Sequence, residues 1–255
     1  MLRTRVIPTL LLRNNGLVKG VQFKDHKYVG DPINAVKIFN EKEVDELMFL
    51  DISATSNRRG PNYDLIRDIA SEAFMPFGYG GGITSVEHVK KLFNIGVEKV
   101  VINSAAYANP ELITESSRLA GSQSIVVSMD VKKSFLGGYE VLVKNGTVRT
   151  RNNPVEYARR MESLGAGELI VCSIDREGTS KGYDLKLLKE ISQTVGIPVV
   201  ASGGAGKLPD LGDAVRMAHV SAVSAGSMFV FHGRHKAVLI TYPKYNQLAA
   251  LFEEK

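Results

Sequence analysis

Residues 76–96 read PFGYGGGITSVEHVKKLFNIG, and the order of residue types in this stretch predicts the fold. The apolar start, Pro76–Tyr79, is typical of a short buried strand, and a run of glycines follows it directly. Thr84–Glu87 then fits a capping box at the start of a helix with one apolar face, and Gly96 ends that helix. The stretch is therefore one strand–loop–helix unit.

Similar units recur along the chain. Runs that are apolar on both faces, as in a helix-covered parallel sheet, occur at Val6–Leu12, Leu47–Ile52, Pro76–Tyr79, Val100–Asn103, Ile125–Met129, Leu169–Ile174, Val199–Ser202 and Ala222–Ala225. Helix starts with a capping side chain before proline occur at Asp31-Pro32, Asn109-Pro110 and Asn153-Pro154. Eight units leave about 32 residues for each strand and helix. We predict one α/β domain over residues 1–255, a (βα)8 TIM barrel, with an open doubly wound sheet as the second alternative.

The two halves of the chain repeat one another. At a spacing of 123 or 124 residues, three pairs of segments correspond: Phe49–Asp51 and Ser173–Asp175, Tyr79–Gly82 and Ser202–Ala205, Ile102–Ala105 and Ala225–Met228. This repeat predicts two duplicated half-barrels, about residues 1–123 and 124–255. Asp130, at the end of the fifth strand, then has Leu11 as its counterpart about 119 residues earlier.

Tyr139–Thr150 departs from the repeated unit. It alternates polar and apolar residues around Asn145-Gly146, the strongest short hairpin signal. Because it follows the fifth strand, we predict a hairpin flap over the barrel mouth at the carboxyl ends of the strands. A surface insertion without a role and a lid over the site both fit this pattern.

The composition excludes several classes of protein. With 44% hydrophobic and 23% charged residues the chain is ordinary and globular, and no apolar run approaches the ~18 residues of a membrane span. Its net charge of +5 comes from scattered basic residues, which suits an anionic ligand but predicts no nucleic-acid surface. The single cysteine, Cys172, excludes an internal disulfide and favours a reducing, cytoplasmic location. His232 and His235 have no carboxylate nearby, so we expect no metal site, and no cofactor motif is present.

Glycine clusters close the third and seventh predicted strands. Without side chains, backbone N–H groups approach an anion closely, and a following helix adds its positive end. Two sets of residues have this character, Gly82 with Asn103 and Ser104, and Gly204 with Gly226 and Ser227. We expect a small-molecule substrate with a phosphate at each end; the alternative is that the glycines only permit tight turns.

Asp51, Asp130 and Asp175 each end a predicted strand at the same mouth. A carboxylate there acts as general acid or base, binds hydroxyl groups, or fixes a loop by accepting a backbone N–H. Lys19, in a glycine-flanked first loop, either reaches an anion over the site or is an exposed surface lysine.

Four charged residues of alternating sign begin the first, second, fourth and sixth strands: Arg5, Glu46, Lys99 and Glu168. They are expected to ring the opposite, N-terminal end of the barrel. Such a ring either stabilises the fold or gates a small neutral molecule.

Together these residues resemble the cyclase subunit of imidazole glycerol phosphate synthase over residues 1 to about 232. The matching segments are Ile7-Pro8, Leu17–Gly20, Gly80–Ile83, Ile102–Ala105, Gly121–Gln123, Gly165–Glu168, Ser173–Arg176, Gly182–Asp184 and Ala201–Lys207. That family is a (βα)8 barrel with two phosphate sites. It takes ammonia from a glutaminase docked on the N-terminal face and a phosphorylated aminoimidazole-ribosyl precursor at the mouth. It forms imidazole glycerol phosphate and releases an aminoimidazole carboxamide ribotide.

The resemblance implies a role for each candidate residue. It implies that Asp130 is one of two catalytic aspartates, that Lys19 is a mobile-loop lysine, and that Gly178 joins the second phosphate site. Asp51 and Asp175 are assigned to the substrate site with the phosphate ligands. The ring of four charges matches the family's ammonia gate.

Leu11 is the main departure from the family. The other catalytic aspartate of the family falls at this position, and leucine cannot transfer a proton, so ordinary cyclase activity is in doubt. Glu177 stands where the family has the second acid of Asp-Arg-Asp-Gly, a milder change. Gly226–Pro243 also differs from the ordinary cyclase ending.

These departures resemble a paralogous branch associated with acetamidino sugars of surface polysaccharides. The first hypothesis is a barrel that takes ammonia from a partner glutaminase for amidine formation on an O-antigen sugar, with a sugar amidotransferase as a further partner. The second is a genuine imidazole glycerol phosphate synthase cyclase of histidine biosynthesis. The third is a non-catalytic ammonia conduit or scaffold.

Overall fold

The computed structural model describes residues 4–134, 137–233 and 235–253. The strands are β1 (Arg5–Arg13), β2 (Gly16–Val21), β3 (Lys24–Gly30), β4 (Leu47–Asp51), β5 (Phe77–Gly80), β6 (Lys99–Ile102), β7 (Ile125–Lys133), β8 (Tyr139–Val143), β9 (Val148–Arg149), β10 (Glu168–Ser173), β11 (Val199–Ser202), β12 (Ala222–Ala225), β13 (Phe231–His232) and β14 (Ala237–Val238). The helices are α1 (Pro32–Glu41), α2 (Tyr63–Glu72), α3 (Val86–Ile95), α4 (Ser104–Ala108), α5 (Glu111–Ala120), α6 (Pro154–Ser163), α7 (Leu185–Ser192), α8 (Leu208–Ala218), α9 (Ser227–Val230) and α10 (Tyr245–Glu253), with a 3-10 turn at Ser122–Ser124.

Eight of these strands close into a parallel barrel. Around it the order is β1, β4, β5, β6, β7, β10, β11 and β12, and β12 pairs with β1 to complete the circle. All eight predicted strands are found. The (βα)8 barrel is confirmed, and the open doubly wound sheet is wrong, because every barrel strand has a parallel neighbour on both sides.

Two of the predicted helix starts are confirmed. Asp31 accepts a hydrogen bond from Asn34 N at 2.9 Å, and Asn153 accepts one from Val155 N at 2.9 Å. Each satisfies an N–H group that would otherwise have no partner in the first helical turn. Among the described residues, no helix combines the length and the apolar character needed to cross a bilayer.

Two other helix starts are displaced by one residue from the prediction. The N-terminal cap of α3 is Ser85, whose hydroxyl accepts from His88 N at 3.3 Å, whereas the capping-box pattern had placed it at Thr84. Pro110 precedes α5 instead of occupying its first position, and Asn109 is the C-terminal cap of α4. Such shifts at helix ends do not alter the packing of the apolar face.

Apolar residues form two separate cores. The larger lies between the barrel and its helices and contains outward-facing residues of every barrel strand. The smaller lies inside the barrel and consists of Ile7, Met48, Val101, Val126, Ile170, Val200 and Ala222, with Leu50 packed against it. We call this inner set the apolar layer.

An antiparallel ribbon extends β1 beyond the barrel. β2 pairs with β1 and β3 pairs with β2, so the predicted first loop is in fact two strands. The predicted loop is wrong because β3 is exposed or half-buried along its whole length. Its sequence therefore lacks the alternation of polar and apolar residues by which a strand is predicted.

The hairpin predicted after the fifth barrel strand is present. β8 pairs with β7 and with β9, and the turn between β8 and β9 reaches the mouth. There Asn145 Nδ2 donates to Ile52 O at 2.7 Å, and Lys144 N donates to Ser104 Oγ at 3.0 Å. The flap is thereby fastened to the loops after the second and fourth barrel strands.

Two phenylalanines provide a matched test of the core. Phe49 is fully buried and packs edge-on against Phe77 with ring centroids 6.3 Å apart, whereas Phe74 is 87% exposed. We expect Phe49→Ala to lower the free energy of unfolding by about 3–5 kcal/mol and Phe74→Ala to change it by less than about 0.5 kcal/mol. Urea unfolding followed by circular dichroism measures both; equal losses would contradict the described packing.

Candidate active site

A cavity of about 570 Å³ occupies the barrel mouth at the carboxyl ends of the strands. It brings together residues that are distant in the chain, which is the usual position of an active site in this fold. The predicted site residues that line it are Leu11, Lys19, Asp51, Gly82, Asn103, Ser104, Asp130, Gly178, Gly204, Gly226 and Ser227. Asp175, the remaining candidate at this end, does not line the cavity.

The first glycine loop has a backbone that only glycine tolerates easily. Gly81 and Gly82 have φ values of 128° and 70°, and a Cβ on Gly82 would lie 2.6 Å from Arg59 O. Ser104 begins α4 directly after the neighbouring strand. Gly81, Gly82 and Ser104 all line the cavity, and the two glycines expose backbone there without a side chain.

The second glycine loop repeats this arrangement. Gly203 and Gly204 have φ values of 82° and 118°, and a Cβ on Gly204 would lie 2.3 Å from Gly182 O. Ser227 begins α9 after the next strand. Since β5–β6 and β11–β12 are half a turn apart in the strand order, the two loops lie on opposite sides of the mouth. This placement suits a ligand with an anionic group at each end.

Two of the three predicted aspartates hold loops in place. Asp51 Oδ1 accepts from Ser53 N at 2.8 Å, from Ser53 Oγ at 2.6 Å and from Ala54 N at 3.1 Å. Asp175 Oδ2 accepts from Lys133 N at 2.9 Å and so joins the ends of two neighbouring strands. Their positions at strand ends predict correctly that both lie at the mouth end of the barrel. Because both carboxylates accept hydrogen bonds that hold the chain in place, neither is suited to proton transfer.

Asp130 differs from both in its surroundings. It is 8% exposed, lines the cavity, and accepts one hydrogen bond, from Asn103 Nδ2 to Oδ2 at 2.9 Å. Burial raises the pKa of Asp130 to about 7, the Asn103 bond opposes this shift, and the negative charge of Glu177 adds to it. A carboxyl group with such a pKa can both give and take a proton near neutral pH.

Lys19 is not the exposed loop lysine that one interpretation expected. It lies in β2, is 3% exposed, and its Nζ donates to Thr9 O at 2.6 Å inside the mouth. Burial lowers the pKa of Lys19 to about 8, although the nearby Glu177 and Cys172 favour the charged form. Gly226 makes room for it, because a Cβ there would lie 2.0 Å from Lys19 Nζ.

The position opposite Asp130 in the repeat carries no ionisable group. Leu11 is half-buried on β1, between Val18 of β2 and Leu50 of β4, and faces the cavity. Glu177, two residues after Asp175, does reach the cavity, which the strand pattern alone did not indicate.

Residues from three further segments also line the mouth, and the sequence patterns do not predict them as site residues. They are Phe23 and His26 of the ribbon, Cys172 of β10, and Lys144 and Asn145 of the flap. The ribbon and flap residues are far from the predicted strand ends, so only the folded chain brings them there. Burial raises the pKa of the Cys172 thiol well above its usual value, which disfavours the thiolate that a nucleophile needs.

The four charges at the N-terminal end form a closed ring. Arg5 Nη1 contacts Glu46 Oε2, and Arg5 Nη2 lies 2.6 Å from Glu168 Oε1. Lys99 Nζ lies 3.1 Å from Glu46 Oε2 and 2.7 Å from Glu168 Oε2. Each charge thus has two partners of opposite sign, and both glutamates are less than 5% exposed. The apolar layer separates this ring from the mouth.

The described residues contain no group of three or more His, Cys, Asp or Glu side chains arranged to hold a metal ion.

These features define an α/β barrel with a cavity at its mouth, lined by two glycine loops, and a charged ring at its base. The family model described as "Histidine biosynthesis protein" matches residues 5–236. The chain belongs to this family and is a HisF-like cyclase barrel of imidazole glycerol phosphate synthase.

Several curated relatives match nearly the whole chain. A protein of Pseudomonas aeruginosa, provisionally named imidazole glycerol phosphate synthase subunit hisF2, is 54% identical over 248 residues, 97% of this chain and 99% of the relative. The imidazole glycerol phosphate synthase subunit HisF of Alkaliphilus metalliredigens is 44% identical over 232 residues, 91% of this chain and 92% of the relative. The HisF subunit of Hydrogenobaculum sp. is 42% identical over 248 residues, 97% and 98% of the two chains.

The raised pKa of Asp130 predicts a pH-dependent stability difference. Between the unfolded aspartate pKa of about 3.9 and the folded value of about 7, the folded chain holds a proton that the unfolded chain releases. The stability that this proton contributes is complete at pH 3.5 and is lost as the pH rises through 7. We expect Asp130→Asn, which cannot ionise, to gain stability relative to the natural chain by up to about 4 kcal/mol between pH 4 and pH 8.

Asp64→Asn is the control for this comparison, because the Asp64 side chain is 92% exposed. Urea unfolding of the three proteins at several pH values gives the differences. A flat difference curve for Asp130→Asn would show that burial does not raise the pKa of Asp130.

Proposed function

We propose that this chain is the cyclase subunit of an ammonia-using imidazole glycerol phosphate synthase. The observation that carries the proposal is the closed ring of four charges at one end of the barrel with a protonatable carboxyl group at the other end. The family membership supports the same assignment, and relatives named HisF subunits match over more than 90% of the chain.

The base of the barrel is suited to a neutral nitrogen source. Arg5 and Lys99 are each held by both glutamates, so one ion pair can open while the other keeps the charged groups in place. Beyond the ring, the apolar layer disfavours an ammonium ion, since a bare charge there would lose its hydration. Neutral ammonia pays a smaller desolvation penalty. We therefore propose that a glutaminase docks on this face and releases ammonia into the ring.

The mouth is suited to a precursor with a phosphate at each end. Each glycine loop presents backbone N–H groups beside the start of a helix, and the loops face one another across the cavity. Lys19 adds a positive charge beside the second loop, next to Gly226. A phosphorylated aminoimidazole-ribosyl precursor bound at both ends would hold its central part over Asp130.

Asp130 then supplies proton transfer where ammonia meets the precursor. As a carboxylate it takes a proton from the nitrogen that ammonia contributes, and as a carboxylic acid it returns one. A pKa of about 7 makes both forms available at neutral pH. Asn103 fixes the orientation of the carboxyl group through its bond to Oδ2.

A second candidate function is amidine formation on a surface-polysaccharide sugar. Leu11 favours it, because the family's ring closure uses an acid at this position. The names of the relatives refer to imidazole glycerol phosphate synthase and give no support to a sugar substrate or a sugar amidotransferase. We therefore rank the histidine-pathway cyclase first.

The direct test supplies the purified chain with the ribosyl precursor and ammonium chloride at pH 8. We expect imidazole glycerol phosphate to form, and Asp130→Asn to lower kcat by about 10²–10⁴-fold because general acid–base catalysis is lost. Asp64→Asn, on the exposed surface of α2, should leave kcat unchanged. No product from the natural chain, with nitrogen transferred instead to an N-acetyl sugar when an amidotransferase is added, would favour the second candidate.

The ring is tested by comparing two nitrogen sources. We expect Glu168→Gln to lower turnover driven by glutamine and the partner glutaminase at least fivefold, because Arg5 and Lys99 each lose an ionic partner and the ring no longer closes. Turnover with ammonium chloride, which enters from solvent at the mouth, should change less than twofold. Glu190→Gln on α7, an exposed side chain that pairs with Lys186, is the control. An equal loss with both nitrogen sources would contradict a gating role.

A further inference from the structure

We propose that Glu177 is the second acid–base carboxylate of this site and performs the proton transfer for which Leu11 offers no group. The inference rests on the proposed function, since it assigns one more residue to the same reaction. It follows from four observations, on the other carboxylates of the mouth, the backbone of Glu177, its side chain, and the charges that surround it.

The carboxylates at the mouth fall into two groups. Asp51, which also lines the cavity, and Asp175 accept hydrogen bonds from backbone N–H groups of their own or neighbouring segments. Asp130 and Glu177 line the cavity, and within residues 4–134, 137–233 and 235–253 no group donates a hydrogen bond to the Glu177 carboxylate. Two carboxyl groups are thus directed toward a ligand, and Glu177 is the one without a partner.

The backbone of Glu177 is held from two sides. Its N–H donates to Ser173 O at 3.0 Å, and its carbonyl accepts from Gln22 N at 2.9 Å. Gln22 Nε2 also donates to Asp175 O at 2.9 Å, which fastens the ribbon to this loop. At Gly178, a Cβ would lie 2.2 Å from Gly20 O, so the contact is too close for any other residue. The backbone at Glu177 is therefore held by the ribbon and by the end of β10 together.

The side chain of Glu177 runs back toward the second glycine loop. Its Oε2 lies 3.3 Å from the place where a Cβ on Gly203 would be. A side chain at Gly203 would push the carboxylate away, whereas glycine lets it settle between the loop and the cavity. This puts the carboxylate beside the proposed phosphate site, on the β10–β11 side of the mouth.

The charged and titratable groups facing Glu177 come from four elements. They are Lys19 of β2, Asp130 of β7, Cys172 of β10 and Tyr183 before α7. Burial raises the pKa of Glu177, and the positive charge of Lys19 opposes the shift. The negative charge of Glu177 in turn raises the pKa of Asp130. Two carboxyl groups that share a cavity ionise in succession, so one is an acid while the other is a base.

The proton count of this arrangement closes. As the ammonia nitrogen forms its bond to the precursor, the carboxylate of the pair takes a proton from that nitrogen. The other carboxyl group gives a proton to the amine nitrogen of the aminoimidazole carboxamide ribotide as the bond that joined it to the precursor breaks. A proton exchanged with water then restores both, and no oxidant or reductant is required. Lys19 Nζ donates a hydrogen bond to Thr9 O on β1, the strand that carries Leu11. Its positive charge favours the carboxylate form of Glu177.

The test measures kcat and KM for the ribosyl precursor with ammonium chloride as nitrogen source, so that the partner glutaminase has no influence. We expect Glu177→Gln to lower kcat by about 10²–10⁴-fold with KM changed less than about threefold, as for loss of an acid–base group. Glu177→Asp, which keeps a carboxyl group, should retain at least a tenth of the natural kcat. Circular dichroism and thermal unfolding confirm that each variant is folded.

A second substitution separates a catalytic role from a structural one. In the Glu177→Gln background, Leu11→Asp supplies a new carboxyl group to the cavity, and we expect it to restore kcat at least tenfold, whereas Leu11→Asn does not. A merely structural role of Glu177 would not respond to a carboxyl group on β1. Lack of turnover by the natural chain would overturn the proposed function and this role with it. Normal turnover by Glu177→Gln would overturn the role of Glu177 alone.

Discussion

A charge placed inside the barrel has lost most of its water, and this loss governs both ends of the molecule. At the base, Glu46 and Glu168 are buried, and Arg5 and Lys99 compensate them in a closed ring. The pKa of Arg5 rises because the two glutamates outweigh the effect of burial. At the mouth the compensation is incomplete. Burial therefore moves the pKa of Asp130 up and that of Lys19 down, toward neutrality. The charges at the base are thus paired with one another, whereas the charged groups at the mouth have shifted pKa values that suit proton transfer.

The asymmetry between the halves of the barrel gives this arrangement its functional meaning. Both halves provide a glycine loop, and the two loops face one another across the mouth. Only the second half provides an acid at the end of its first strand, Asp130, because the first half has Leu11 there. Glu177 comes from the second half as well. In our proposal the acid–base pair therefore lies on one side of the cavity, whereas the two glycine loops lie opposite one another.

Much of the fold could be predicted from the sequence, since each barrel strand is an apolar run and most of these runs end at or next to a glycine or an aspartate. The ribbon could not, because β3 has no buried face and so leaves no alternation. Lys19 was placed in a loop for the same reason. Nor could the sequence separate Asp51 and Asp175 from Asp130, since all three end strands at one mouth. Hydrogen bonds to Ser53, Ala54 and Lys133 distinguish them, and these depend on how the loops turn after the strands. Glu177 matches the second acid of the family's Asp-Arg-Asp-Gly motif in the sequence, but only the folded chain shows that it lines the cavity.

The central claim is that desolvation raises the pKa of both Asp130 and Glu177 in the mouth, because no cation among the described residues forms an ion pair with either carboxyl group. Carbon-13 NMR of side-chain carboxyl groups, followed from pH 3 to pH 9, tests it most directly, with Asp130→Asn and Glu177→Gln assigning the signals. The account predicts that the Asp130 signal titrates near pH 7 and that Glu177 titrates above its usual range. It also predicts that removing Glu177 lowers the pKa of Asp130. Two signals that both titrate below pH 5, each indifferent to loss of the other, would contradict the account.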